Sequence, residues 1–409
     1  MKKLLLLLLF IPLVFSCSSE EIFDKIEDQN WYKGNLHSHS LWSDGDDFPE
    51  MIIKWYKEND YNFLAISDHN VLADQKSFWY ELNEHDIYNK TLEKYKNTFG
   101  DWVETKFENN QEIVRLKTFD EYKHKMEEKN SFILIKSEEV TANHFDRKKN
   151  PIFPHLVPVH INVTNIKDLI NPPIGNSVVE VMQKTIDAAL SQRNKYNIPI
   201  FPHINHPNLR YGITVNDIKK LNGERFFEVY NGHPSSNNDG DDLNIDLETM
   251  WDIINIDYYD NNKPLIFGLA TDDSHNYHFD SIKRSNPGRG WVMVNAKKLE
   301  INSLIEALES GDFYSSSGVE IKKLIRNESK IYVEINPVDD IDYEIIFIGY
   351  QNNSSHVSEL KRVYDTSAEY NFTENDLFVR VKVNSNQIKT NPNVIGETTQ
   401  AWTQPFLVK

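Results

Sequence analysis

The run Gly34-Asn35-Leu36-His37-Ser38-His39, followed closely by Ser43-Asp44-Gly45, decides how this chain is read. Tyr32 to His37 has the composition of a strand, and residues two apart on a strand point to one face, so the imidazoles of His37 and His39 can reach one metal ion. The pattern then recurs along the chain. A second strand, Asn62 to Ser67, runs into Asp68-His69-Asn70, and a third, Phe132 to Glu138, ends at Glu138-Glu139. A fourth, Val157 to Val163, carries His160, and a fifth, Ile198 to Ile204, leads through His203-Ile204-Asn205-His206-Pro207. A sixth spans Arg225 to Tyr230, and the seventh, Pro264 to Ala270, ends in Thr271-Asp272-Asp273-Ser274-His275, where Asp273 and His275 repeat the two-apart spacing. One histidine on a strand is ordinary, and an Asp after a strand commonly caps a helix. Convergence of metal-ligand residue types on the ends of six strands is not ordinary.

Helical stretches separate these strands, among them Pro49 to Glu58 and Ser177 to Tyr196, the latter with an apolar stripe of Val178, Met182, Ile186, Ala189 and Leu190. Strands alternating with helices predict a parallel sheet, and in barrels of that kind catalytic residues gather at the C-terminal rim. Leu72 to Asn130, aromatic and charged, reads as an inserted, partly helical lid or rim, and the Asn- and Asp-rich stretch from Gly232 to Asp246 as a loop. After a helix from Ile301 to Ser310, the segment Gly311 to Gly318 punctuates the chain. Beyond it Lys330 to Asn336, Tyr343 to Tyr350, Asp376 to Asn384 and Ala401 to Val408 alternate without helices, which predicts a small all-β, sandwich-like unit over 319–409.

Charge and the N-terminus bound the setting. With 44 Lys and Arg against 62 acidic residues the formal charge is 44 − 62 = −18, which argues against nucleic acid as a main partner. Met1-Lys2-Lys3, the apolar run Leu4 to Phe15 and Ser16-Cys17 read as a signal peptide, since the run is shorter than the about 20 residues that span a bilayer. A small residue before the chain's single cysteine resembles a bacterial lipobox, so 1–17 is expected to be a lipoprotein leader, 18–30 a tether, and membrane contact to run only through a lipid on Cys17. That places the protein in the periplasm or at the surface of a Gram-negative bacterium.

Taken together, the histidine and carboxylate runs resemble the PHP (polymerase and histidinol phosphatase) metal-dependent phosphoesterases over roughly Trp31 to Gly318. The resemblance implies an α/β fold, a distorted seven-stranded (β/α)7 barrel over 31–318 with an insertion around 72–130. It further implies that His37, His39, Glu139 and Asp273 hold a first metal, that Glu139 bridges to a second completed by His160 and His206, and that Asp44, His69 and His275 hold a third. Glu139 is preferred to Glu138 because Glu139-Val140-Thr141 matches the family pattern. Phe227 to His233, Pro287-Gly288-Arg289-Gly290-Trp291 and Ala401 to Pro405 resemble a bacterial branch that includes aryl-carbamate hydrolases.

Such a donor set suits two or three Zn²⁺, Mn²⁺ or Fe²⁺ ions, and a water bridging two of them would be the nucleophile. The expected activity is hydrolysis of a phosphomonoester or phosphodiester, small or polymeric. Arg289 is a candidate phosphate clamp, or else a surface residue beside a strand, and His203 and His233 are candidates to protonate the leaving group or to orient a ligand. Glu228 is read as a partner of the ligands, and Asn70, Asn205 and Asn231 as substrate contacts or turn residues. Two other functions compete: carbamate or carboxyl-ester hydrolysis on the same metals, and a non-catalytic surface lipoprotein whose C-terminal unit contacts glycans.

Overall fold

The computed structural model describes residues 30–82, 86–146 and 155–408. The expected leader with Cys17, the tether up to residue 29 and the 147–154 connection lie outside the described residues.

Five strands, Ser137–Asp146, His155–Thr164, Phe201–Ile204, Phe226–Asn231 and Phe267–Thr271, pair in that order in one sheet. A second sheet runs Ile133–Leu134, Phe63–Leu64, Trp31–Asn35, Trp291–Asn295 and Phe313–Ser316. The two sheets meet at isolated parallel bridges, Ser38 with Ser274 and His69 with Glu139. Main-chain bonds tighten both seams: Asp273 N donates to His37 O at 3.0 Å, and Asn70 N to Glu139 O at 3.0 Å. The residues that join the sheets are thus the ones that carry the histidines and carboxylates, or their neighbours.

An all-parallel barrel is not what the pairing shows. His155–Thr164 is antiparallel to both of its neighbours, and Trp31–Asn35 is antiparallel to Trp291–Asn295. For the pair of Ser137–Asp146 with His155–Thr164 the physical reason is connection length. Residues 147–154 are too few for the crossover of a dozen or more residues that a parallel neighbour needs, so the chain makes a hairpin. Alternation and strand propensity read the same in either direction. The coarser expectation, a mixed α/β body followed by a β-rich C-terminal part, matches the structure.

Helix ends follow local chemistry. Ser177 and Asp246 accept N-terminal amides of the helices Val178–Tyr196 and Leu247–Asp260, and Pro49 opens Pro49–Glu58. Val181, Met182, Ile186 and Ala189 bury the inner face of the first of these. The insertion forms a three-stranded sheet of Trp79–Glu81, Gln111–Arg115 and Thr105–Glu108 with helices Asp86–Phe99 and Phe119–Met126. It packs against the α/β body, where Phe78 stacks on Trp42 and Tyr95 on Phe48. His278 ties this insertion to the body through Thr91 Oγ1 and Asp46 O.

The C-terminal part is two-layered, as a sandwich should be. Ile321–Arg326, Lys330–Ile335 and Ser367–Asn371 form a small sheet packed on Tyr343–Gln351 and Asp376–Ile388 around Ile331, Val333, Phe347 and Val381. Backbone pairing nevertheless crosses the expected boundary at residue 318: Phe313–Ser316 pairs with Thr398–Thr403, extending the second sheet to ten strands. Behind that seam Arg380, 2% exposed, meets both oxygens of Asp252 at 2.8 Å, with Glu248 beside it.

Breaking that pair from one side strands a buried carboxylate. Arg380→Ala is expected to cost about 3–5 kcal/mol in chemical denaturation, whereas Arg380→Met combined with Asp252→Leu should recover most of the loss. Equal destabilisation by the single and double variants would contradict this reading of the seam.

Candidate metal centre

At the rim where the sheets meet, nine side chains fall into overlapping groups that could each hold a metal ion. Ligand atoms of His37, His39 and Asp273 lie within 4.8 Å of one another, as do those of Glu139, His160 and His206, and those of His39, Asp44, His69 and His275. Glu139 also lies 3.6 Å from His37 Nε2 and 3.4 Å from His39 Nε2, so its carboxylate faces both of the first two groups. These are the nine residues named as ligands from the sequence. Seven of them, Asp44, His69, Glu139, His160, His206, Asp273 and His275, line one small cavity of about 180 Å³ together with Leu209, His233 and Ser236, while His37 and His39 are fully buried beside Asp273 and Glu139.

The separations suit a shared cation. Asp273 Oδ1 lies 3.2 Å from Nε2 of both His37 and His39, and Asp44 Oδ1 lies 3.4 and 3.3 Å from Nε2 of His69 and His275. Two donors bound to one ion at about 2.1 Å in tetrahedral geometry stand roughly 3.4 Å apart. His37 Nε2, both nitrogens of His39 and His160 Nδ1 are buried without a hydrogen bond of acceptable angle. Leaving such groups unmade is costly, and a metal ion would satisfy them together.

Partners behind the ligands fix which nitrogen is free. His37 Nδ1 lies 2.6 Å from Glu228 Oε1, which puts the proton on Nδ1 and leaves Nε2 as the ligand atom. His275 Nδ1 donates to Asp273 O at 2.9 Å, and His69 Nδ1 meets Thr141 Oγ1, so both turn Nε2 toward Asp44. Glu228 is fully buried and also accepts from Thr271 Oγ1, His206 N and Asn231 Nδ2 at 2.7 to 2.8 Å. The three asparagines orient protein groups: Asn205 Nδ2 donates to Glu139 Oε1, Asn231 Nδ2 bridges Glu228 and Asp273, and Asn70 Oδ1 accepts Thr141 N. Asn70, His206 and Asp273 all hold positive φ, backbone strain of the kind that concentrates at functional sites.

Protonation follows from this crowding. Burial, and then the neighbouring rings of His275 and His69, push His39 down to about 3, so it is neutral as a ligand must be. Burial also pulls on His69, but Glu139 and Asp44 overwhelm it and push that ring up to about 11. Burial would raise the Glu139 carboxyl, yet the imidazoles of His69, His160 and His37 hold it well below the usual range.

Of the three further candidates, Arg289 has neither of its expected places, His203 stands where a residue orienting a ligand would, and His233 faces the cavity. Arg289 is neither a phosphate clamp nor a surface residue. It is fully buried, and its guanidinium donates to Gly232 O at 2.8 Å, Arg284 O at 2.6 Å, Ser281 O at 2.9 Å and Asn391 Oδ1 at 3.2 Å. His203 is also fully buried; it stands 3.5 Å from Glu228 Oε1, behind His37, and does not line the cavity, so it has no path to a leaving group. His233 does line the cavity. Burial pushes its ring down to about 4, and its Nδ1 accepts the Ser235 amide, so it is neutral and carries its proton on Nε2. A neutral ring can donate a hydrogen bond there but cannot act as an imidazolium acid. Leu209 and Ser236 were not read as site residues, because nothing marks them until the loops fold together. Among the described residues, none from 72–130 lines the cavity.

Because carboxylates hold His69 protonated through neutral pH, a metal must displace that proton. Adding Zn²⁺ to metal-free protein is therefore expected to release protons in a weakly buffered titration, with affinity falling as pH is lowered from about 8 to about 6. Glu228→Gln should weaken metal binding or activity by about 10–100-fold. Binding without proton release, unchanged by Glu228→Gln, would contradict the assignment.

No family model matches the chain, and no curated protein does. Among solved structures it is similar to a two-domain protein from Bacteroides vulgatus that contains a PHP-like metal-dependent phosphoesterase assigned by prediction. That likeness has 15% identity over 93% of this chain and 96% of the other, with a TM-score of 0.40. It is also similar to a Bifidobacterium adolescentis protein provisionally named a metal-dependent phosphoesterase, at 11% identity over 61% of this chain and 89% of the other, with a TM-score of 0.27. By name these neighbours are metal-dependent phosphoesterases, PHP-like in the first case. Likenesses of this size leave the chemistry to be read from the chain's own side chains.

Proposed function

We propose that this chain is a PHP-type metal-dependent phosphoesterase. The observation that carries the proposal is the joining of three donor groups through Glu139 and His39 into one contiguous cluster. His37, His39, Asp273 and Glu139 would hold one ion, Glu139, His160 and His206 a second, and Asp44, His69 and His275 a third. Six imidazoles and three carboxylates without a thiolate suit Zn²⁺, Mn²⁺ or Fe²⁺. When bound, such ions supply Lewis acidity toward a phosphoryl oxygen and an activated water.

The chain's own residues do the rest. Glu228, Asn231, Asn205 and Thr141 keep the ligands in one tautomer and one orientation. His233 offers a neutral Nε2–H to an oxygen of the reacting group, and Leu209 supplies an apolar wall. Among the described residues no Lys or Arg lines the cavity, so the charge of a phosphoryl group would be met there by bound cations. A volume of about 180 Å³ suits the reacting group and leaves the remainder of a larger substrate outside. The basic, apolar and Cys17 run at the start of the sequence supports an exported, lipid-anchored setting.

A second reading, carbamate or carboxyl-ester hydrolysis on the same centre, gains from the burial of Arg289. That residue was the one feature separating a phosphate site from a neutral-ester site, and its donors are committed to other partners. The non-catalytic alternative gains nothing comparable from the site.

Metal-loaded protein is expected to hydrolyse p-nitrophenyl phosphate or bis-p-nitrophenyl phosphate. His39→Ala, which removes a donor from two groups, should lower that turnover by on the order of 10²-fold or more. Cleavage of p-nitrophenyl acetate alone, lost in the same variant, would transfer the proposal to carbonyl chemistry. Turnover unaffected by His39→Ala would sink both.

A further inference from the structure

The turn that carries His233 is a thin wall. On one side His233 and Ser236 line the metal cavity; on the other Pro234, Asn237 and Asn238 line a cavity of about 820 Å³ between the body and the C-terminal β-unit. With open space behind it rather than packed side chains, the turn depends on hydrogen bonds for its position.

Those bonds converge on three successive carbonyls, and two of their donors belong to or depend on the C-terminal unit. Asn393 Nδ2 donates to Asn231 O and to His233 O, both at 3.3 Å, and Arg289 Nη1 donates to Gly232 O between them. Gly232 permits that approach, since a Cβ there would lie 2.8 Å from Arg289 Cβ. Arg289 is in turn held from the C-terminal side: Asn391 Oδ1 accepts from its Nε, and buried Lys389 donates to its carbonyl at 2.9 Å. Lys389 also meets Tyr230 OH at 2.7 Å and Glu397 Oε1 at 2.9 Å, and Glu397 Oε1 accepts from Tyr230 OH. On the site side, Asn231 carries the order inward, its amide bridging Glu228 and the ligand Asp273 while its Oδ1 accepts the His233 amide.

We propose that segment 389–397 of the C-terminal β-unit is a positioning element of the metal site, with Asn393 holding the Asn231–Ser236 turn so that His233 faces the cavity. The kinetic half of this proposal rests on the phosphoesterase reading; the structural half does not. The C-terminal unit on this account is part of the catalytic body rather than an appended binding module. Arg289 and Asn393 are positioning residues that act through the turn.

The test uses the full chain, loaded with Zn²⁺, as wild type, Asn393→Ala and the near-isosteric Asn393→Asp, which loses the amide donor. Hydrogen exchange of the amides from Asn231 to Asn238 is expected to accelerate by about tenfold or more in both variants, with bound metal per chain unchanged. On the phosphoester that wild type cleaves, Asn393→Ala should lower kcat by on the order of tenfold with KM nearly constant. In a His233→Ala background the same substitution should have little further effect, because both act through one group. Unchanged exchange in both variants overturns the proposal whether or not the chain is an enzyme. Faster exchange with equal kinetic losses in the two backgrounds overturns the route through His233. Faster exchange in a protein that cleaves no phosphoester leaves the clamp standing and removes the phosphoesterase reading.

Discussion

Charge burial governs this structure. Glu139 and Asp273 are carboxylates withdrawn almost completely from water, and six imidazoles crowd around them. A buried charge survives only when paired or bound to a metal. In the protein alone the balance is struck by unequal protonation, with His69 pushed up and His39 pushed down within one cluster. Divalent cations resolve the same imbalance more completely, because they answer the carboxylates and the unpartnered nitrogens at once. The bridges Ser38 to Ser274 and His69 to Glu139 set this cluster at the places where the two sheets join. Sheet closure and metal binding are therefore coupled: whatever binds the cluster also ties the seams.

A second layer of order comes from outside the body. The ten-stranded sheet carries the C-terminal strands into register with Phe313–Ser316, and the buried Arg380–Asp252 pair locks the helix behind. From this base the 389–397 segment reaches back to the rim, where Lys389, Asn391 and Asn393 hold Tyr230, Arg289 and the 231–233 carbonyls. Rigid supports of this kind keep a site within the small tolerances its chemistry demands.

How much of this could be read in advance differs from residue to residue. His37 with His39 and Asp273 with His275 were legible because two-residue spacing on a strand is a local rule. His160 and His206 were placed by strand ends together with the resemblance. Strand direction was not legible, since His155–Thr164 has the same pattern whichever way it pairs. Arg289 was misread because a Gly-flanked arginine looks like a phosphate loop, while its actual partners include a residue a hundred positions away. The C-terminal clamp left no local trace for the same reason: Asn393 and His233 are 160 positions apart, and only the folded sheets bring them together.

The central claim is that one cluster at the junction of the two sheets assembles a multi-metal centre from these nine side chains. It is tested most directly by counting transition metals per chain in protein purified without added metal, by elemental analysis, with anomalous scattering to place them. The account predicts two or three ions, with Asp273 and Glu139 among their ligands. Fewer than one ion per chain, not restored by Zn²⁺, Mn²⁺ or Fe²⁺, would contradict it.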